Sequence, residues 1–225
     1  MARVPRLLPV LAYADLVHPA VAHRHHRTDS PLAPAPPSEG RRVRRMTTNQ
    51  ALWRSHQHGG PITHCFPDYS GTLTSNHDDV DPQLGMRPIH AATLATIWEL
   101  HAAGVVLGLV SNTTEGQDRR RALQAAGVAS LFENRVYLSH ELGLNKRNSL
   151  FYRHILNDLG LNPGELMVCG NRIDADVRVP AAMGIRAVLL GPTETRAQLP
   201  TRATLITTIG DLPDILKGAS RAHPR

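Results

Sequence analysis

The sequence predicts an α/β protein whose parallel sheet is covered by helices on both faces. Three observations carry that expectation. Strand-like and helix-like segments alternate from about Pro61 onward. The strand-like segments are continuous apolar runs, as in sheets buried on both faces. Polar residues follow directly after those runs, at the strand ends where open α/β sheets bind ligands.

Each element has its own signal. Ile62 to Phe66 reads as a short strand that breaks into a turn at Asp68-Tyr69-Ser70-Gly71-Thr72-Leu73, where Gly71 permits a backbone path other residues resist. Arg87 to Ala103 reads as a helix with Leu94, Ile97, Trp98 and His101 on one face, ended by Gly104. Val105 to Val110 is a buried strand, and Glu115 to Ala126 a helix closed by Gly127. Arg135 to Leu138 is a short strand. Ser149 to Leu159 is a helix with Phe151, Ile155 and Leu159 stacked at i, i+4 and i+8. Leu166 to Cys169 is a strand, Asp174 to Met183 a helix and Arg186 to Leu190 another strand. Thr204 to Ile209 and Leu212 to Lys217 complete the set, and the sequence holds no internal repeat.

Composition bounds the rest. A chain of 225 residues fits one domain with an appended segment. At 41% apolar and 4% aromatic, its core is expected to consist of Leu, Val, Ile and Ala. The formal charge of +6 comes largely from eight arginines between Arg3 and Arg45, so it says little about the domain's ligand and does not argue for nucleic acid. Residues 1–45, rich in Pro and Arg, are expected to be a disordered extension, with Met46 as the start of the folded chain. The folded domain is expected over 46–218, with a disordered tail over 219–225. His23, His25 and His26 read as a solvated cluster in that extension. Leu7 to Ala22 faintly resembles a signal peptide, but Pro9 and Asp15 interrupt it, and it is too short to span a membrane. With only Cys65 and Cys169 there is no disulfide framework, and a reduced, cytoplasmic setting without a membrane partner is expected.

Four strand ends carry the polar residues. Asp68 and Thr72 come first, and Ser111-Asn112 second. Lys146, in Leu144-Asn145-Lys146, is third. Gly170-Asn171-Arg172-Ile173-Asp174-Ala175-Asp176 is fourth. A carboxylate at such an end can act as a nucleophile toward phosphoryl groups. Oxygen ligands would hold Mg²⁺ there, and a lysine would act as a point charge on an anion. Each residue also has a plain structural role open to it. Ser111 and Asn112 are good helix caps, Lys146 fits a solvated loop, and Asp174 or Asp176 could complement a helix dipole, the reading preferred for Asp174.

This order of motifs resembles the haloacid dehalogenase-like superfamily of hydrolases, whose members are mostly phosphatases. The resemblance covers about residues 61–217, including the closing stretch Ala182 to Leu190. It implies a Rossmann-like three-layer fold with a parallel five-stranded sheet in the order 5-4-1-2-3, which places Cys65 and Cys169 near each other. It also implies a Mg²⁺-dependent phosphatase or phosphotransferase acting through an aspartyl-phosphate. Asp68 would be the nucleophile, with Lys146 and the Ser70 position completing the catalytic set. Thr72, Ser111, Asn112, Lys146 and Arg172 would contact the substrate, and Asp68, Ser70, Asn171 and Asp176 would hold the metal. Asp68, Ser111, Lys146, Asn171 and Asp176 are expected to converge around one small polar cleft, with Thr72 at its rim.

Two positions depart from the family pattern, Ser70 and Asn171, and Pro67 is awkward for the strand itself. Most of its phosphatases carry an Asp two residues after the nucleophile as general acid and base, where this chain has Ser70. Loss of a positioned proton carrier typically removes ~10²–10⁴-fold of rate, although the Ser70 carbonyl can still bind a metal. Asn171 stands where a metal-binding Asp is usual, so the site has one negative charge fewer. Pro67 lacks a donor for the ladder of a central strand. These departures motivate the alternative of a catalytically weakened phosphate-binding or regulatory module. The segments Leu73–Ser111 and Asn112–Lys146 have no room for a cap domain. An open site of this capless type suits a bulky phosphorylated substrate, or a lid supplied by another copy in a homo-oligomer.

Overall fold

The computed structural model describes residues 61–221. The expectations for residues 1–45, including Met46 as start and the histidine cluster, concern residues outside those described. The elements in order are β1 (His64–Pro67), α1 (Ala91–Ala102), β2 (Val106–Leu107), β3 (Leu109–Ser111), α2 (Arg120–Ala125), α3 (Ala129–Phe132) and β4 (Val136–Leu138). They continue with α4 (Ser139–Leu142), α5 (Ser149–Leu159), β5 (Leu166–Gly170), α6 (Val179–Ala182), β6 (Arg186–Leu190), β7 (Ala203–Ile206) and α7 (Leu212–Arg221). Every paired strand is parallel, in the orders β2-β1-β5-β6-β7 and β3-β4, with a single bridge from Asp68 to Val110 joining the two groups.

The expected five-strand order is therefore found as β6-β5-β1-β2/β3-β4, with β7 added beyond β6. The expected strand Val105–Val110 is split, and the cause lies in its neighbour. Cys65 pairs with Leu107 and Asp68 with Val110 at the same offset, so the register is unchanged across the break. Between them stands Pro67, whose missing N–H removes a rung of the ladder. Gly108 marks the same place: a Cβ there would lie 2.4 Å from the Phe66 ring. That ring in turn stacks on Tyr137 with centroids 5.9 Å apart.

Strand alternation divides the core between two faces. Cys65, Leu107, Leu109, Met167 and Cys169 pack with Ile97, Leu100, Leu123, Phe132 and Leu212 on one side. Phe66, Val110, Leu166 and Val168 pack with Phe151, Tyr152 and Ile155 of α5 on the other. Both sheet faces are thus covered, as the apolar strands required. Cys65 and Cys169 are fully buried on adjacent strands, and burial pushes the Cys65 thiol up to about 12.

Some helix boundaries differ from the sequence reading. α1 starts at Ala91 because His90 caps it, its ring nitrogen accepting from the Ala92 N–H. Its buried face is Thr93, Thr96, Ile97 and Leu100, so Trp98 is exposed and meets the exposed His101 edge-on. The segment before α2 is a loop, and helix begins only at Arg120. α6 is short and preceded by a wide helical turn over Ile173–Arg178. α7 extends to Arg221, into the stretch expected to be tail. Among the described residues no helix is long and apolar enough to cross a membrane.

Candidate active site

The turn after β1 sets the first group. The Asp68 N–H donates to the Cys169 carbonyl at 2.7 Å, fixing the residue at the edge of the sheet. The chain then winds through Tyr69–Leu73, with Gly71 at φ 73°. A side chain there would be strained, and its Cβ would sit 2.2 Å from Asn171 Nδ2. Thr74 closes the turn, donating its N–H to the Tyr69 carbonyl and accepting the Gly71 N–H on its hydroxyl.

Lys146 is the centre of the cluster. Its ammonium donates to Asp68 Oδ1 at 2.5 Å and to Asp176 Oδ1 at 2.6 Å. All three side chains are buried. Asn112 Oδ1 accepts the Lys146 N–H at 3.0 Å, so this exposed amide holds the lysine's backbone. The other oxygen of Asp176 accepts the Arg172 N–H at 3.0 Å. Gly170 makes room for that carboxylate, since a Cβ there would lie 2.2 Å from Asp176 Cγ.

Burial pushes the Asp68 carboxyl above its ordinary range, with the Lys146 charge opposing and the Asp176 charge adding to the rise. Burial alone would lower the Lys146 pKa, but the two aspartates outweigh it and hold the ammonium above its ordinary value. Lysine is thus charged throughout the neutral range.

Three polar atoms on the adjoining strand ends and turn have no protein partner. Ser111 Oγ, Thr72 Oγ1 and Asn171 Oδ1 are each buried without a hydrogen bond. Buried polar atoms are normally paired, so each such atom asks for an explanation. Ser111 ends β3 and is not a helix cap, because the next helix begins at Arg120. Thr72 is buried, not at an exposed rim. Oxygen donors of the kind that holds Mg²⁺ are available on these strand ends and turns: the carboxylates of Asp68 and Asp176, the unpartnered Asn171 amide oxygen and the Ser70 carbonyl. The residues fit such an ion with one charge fewer than an all-aspartate set. Among the described residues no three His, Cys, Asp or Glu side chains gather as metal ligands.

Other expected residues lie farther out. The side chains of Ser70 and Arg172 are exposed. Asp174 makes no cap: it pairs with Arg147 and lies 3.7 Å from Arg172, and chiefly its hydrogen bond to Arg147 outweighs desolvation and holds its carboxyl below the ordinary range. Arg119 was not among the expected site residues. It is 5% exposed, and its guanidinium lies 4.5 Å from the centre of the Tyr69 ring, beside the Asp68 turn. The run Arg119-Arg120-Arg121 gives no sign in sequence that only its first member is buried.

Comparison with known proteins fits this arrangement. Over 138 residues the chain is 26% identical to a glyceraldehyde 3-phosphate phosphatase of Methanocaldococcus jannaschii, covering 60% of this chain and 59% of that protein. Over 132 residues it is 29% identical to a phosphoserine phosphatase of Thermus thermophilus, covering 57% and 50%. A crystal structure of an uncharacterized protein from Listeria monocytogenes serotype 4b superposes with TM-score 0.61 at 21% identity, over 71% of this chain and 99% of that one. L-2-haloacid dehalogenase from Xanthobacter autotrophicus superposes with TM-score 0.56 at 12% identity, over 70% and 99%.

The chain is similar in sequence to these phosphatases and has the fold of the haloacid dehalogenase-like hydrolases.

No protein-family model matches it. These two structural matches span nearly the whole of their partners, whereas the chain spans only 50–59% of the length of these curated phosphatases. In this chain the stretch between Leu73 and α1 is a single loop. It is tied down by the Tyr69 hydroxyl donating to the Arg87 carbonyl, Arg87 Nε to Asp78 O at 2.7 Å, and the buried Met86.

Proposed function

We propose that this chain is a hydrolase that takes the phosphoryl group of a phosphorylated substrate onto Asp68, with Mg²⁺ as its cofactor. One observation carries the reading. Two buried hydroxyls and a buried amide oxygen without protein partners accompany an ionic cluster containing a carboxylate at a strand end. A phosphoryl group has the complementary chemistry, with oxygens to accept from Ser111 and Thr72 and charge to be neutralised by Lys146. The names of the curated relatives point the same way.

In the first step an Asp68 oxygen attacks phosphorus and the bond to the leaving oxygen breaks. In the second, water attacks the aspartyl-phosphate, releasing phosphate and restoring the carboxylate. Lys146 keeps positive charge against the nucleophile, and the hydroxyls hold the phosphoryl oxygens in line. When bound, Mg²⁺ supplies further charge neutralisation, held by Asp68, the Ser70 carbonyl, Asn171 and Asp176. Ser70 offers no carboxyl to protonate the leaving oxygen, so slow turnover is expected. The short segments between motifs support a bulky substrate, or a lid provided by a second copy.

The test is a panel of phosphomonoesters with and without Mg²⁺, run beside Asp68→Asn. Mg²⁺-dependent hydrolysis lost in the variant supports the reading, and activity surviving in it removes the mechanism. Ser70→Asp should raise a slow rate by restoring a proton carrier. Ser70 and Asn171 favour a second reading, a phosphate-binding module without turnover. Vanadate or phosphate binding without hydrolysis by the wild type would select it.

A further inference from the structure

Arg119 is the buried cation that the mechanism above does not use. It makes no ion pair among the described residues, whereas its neighbour Arg120 pairs with both Asp118 and Glu141. Its polar partners are weak: Nη1 lies 3.6 Å from the sulfur of Met86, Nη2 lies 3.5 Å from Gln117 Oε1, and the buried Nε has none. A guanidinium this buried is ordinarily matched by an anion, because desolvating an unpaired charge is costly. The Tyr69 face beneath it offers a cation–π contact, which offsets only part of that cost. The location carries the argument further. Tyr69 follows the nucleophile directly in the chain, and Met86 belongs to the loop that covers this side of the turn.

We propose that Arg119 is a specificity residue of this site, receiving a second oxyanion of the substrate, a carboxylate or phosphoryl group other than the one transferred. The proposal rests on the phosphoryl-transfer reading and narrows its substrate class to phosphomonoesters with an anionic tail. A planar fork of N–H donors suits either oxyanion bidentately, and Nε is the donor left free for it. Burial lowers the Arg119 pKa, with Tyr69 and then Asp68 opposing it, and the guanidinium stacks over the residue that follows the nucleophile. Gln117 and Met86, as weak neutral partners, are the contacts an incoming oxyanion would replace.

The test compares matched substrates in the full chain: n-propyl phosphate, 2-carboxyethyl phosphate and propane-1,3-diyl bisphosphate. The wild type is expected to prefer one of the anionic-tailed compounds in kcat/KM. Arg119→Met should reduce that preference about 10- to 100-fold, the range for a lost charged hydrogen bond, and mostly through KM. Arg119→Lys should restore part of it. If Arg119→Met changes all three substrates by the same factor, or the wild type shows no preference, the proposal is overturned while the phosphatase reading stands. If no substrate turns over, binding decides. The wild-type melting temperature should rise more with 3-phosphonopropionate than with propylphosphonate, and Arg119→Met should erase that difference. Equal shifts in the wild type would overturn the proposal by this route too.

Discussion

Two ion pairs from adjacent residues, Lys146 and Arg147, reach the same helical turn after β5, and they do different things. Lys146 pairs with Asp176 where the side chains are 2% and 0% exposed. Arg147 pairs with Asp174 where they are 55% and 42% exposed. Chain position, charge type and partner loop are nearly matched, so the comparison isolates burial. The exposed pair is screened by water and salt and contributes little. The buried pair excludes water and has a second carboxylate, Asp68, on the same ammonium. Removing one member leaves charge stranded in a medium that cannot solvate it.

The largest break in this contrast is Lys146→Met. It should destabilise the chain by about 3–5 kcal/mol at pH 7, the usual result of breaking a buried pair. Urea unfolding should show that loss shrinking as pH falls into the acid range, because burial already pushes the Asp68 carboxyl upward and its protonation relieves stranded charge. The wild-type pairing should hold across the neutral range. A raised lysine pKa makes its contribution present below the ordinary value of 10.5 and lost as pH climbs through the higher folded value.

Gly170→Ala attacks the same cluster through space rather than charge. Its Cβ would occupy the position of the Asp176 carboxyl. A loss of about 1–3 kcal/mol is expected from overpacking, together with weaker phosphate or vanadate binding. Retention of both wild-type stability and binding would show that the Asp176 placement is not needed.

Arg147→Ala is the small member of the set. Its effect should be within about 1 kcal/mol. The depressed Asp174 pKa fixes the sign: the contribution is present above the ordinary carboxylate value of 3.8 and fades as pH falls through the lower folded value. Wild type and variant should therefore converge in acid. A double-mutant cycle with Asp174→Ala that gave a coupling as large as that of Lys146 with Asp176 would erase the contrast.

How much of this was legible in the sequence depended on what each feature needed. Asp68 and Ser111 could be found because chemistry-bearing residue types stand at the ends of apolar strands, while Lys146 comes only after the short α4 and Asp176 within the helical turn that follows β5. The split at Gly108 was not readable from its own segment, since it comes from a proline on the neighbouring strand. Trp98 is apolar yet exposed, because the buried face of α1 uses Thr93 and Thr96 beside Ile97 and Leu100. Arg119 was invisible for a related reason: burial of one arginine in a row of three is decided by Tyr69 and Met86, which are distant in sequence.

The most direct measurement traps the covalent intermediate. The full chain is quenched in acid during turnover of a phosphomonoester with Mg²⁺, reduced with borohydride, and its peptides are mass-mapped. An aspartyl-phosphate at position 68 predicts conversion of Asp68 to homoserine, dependent on substrate and absent when substrate is omitted. Steady hydrolysis with Asp68 unmodified, or with the modification on a different carboxylate, would contradict the account.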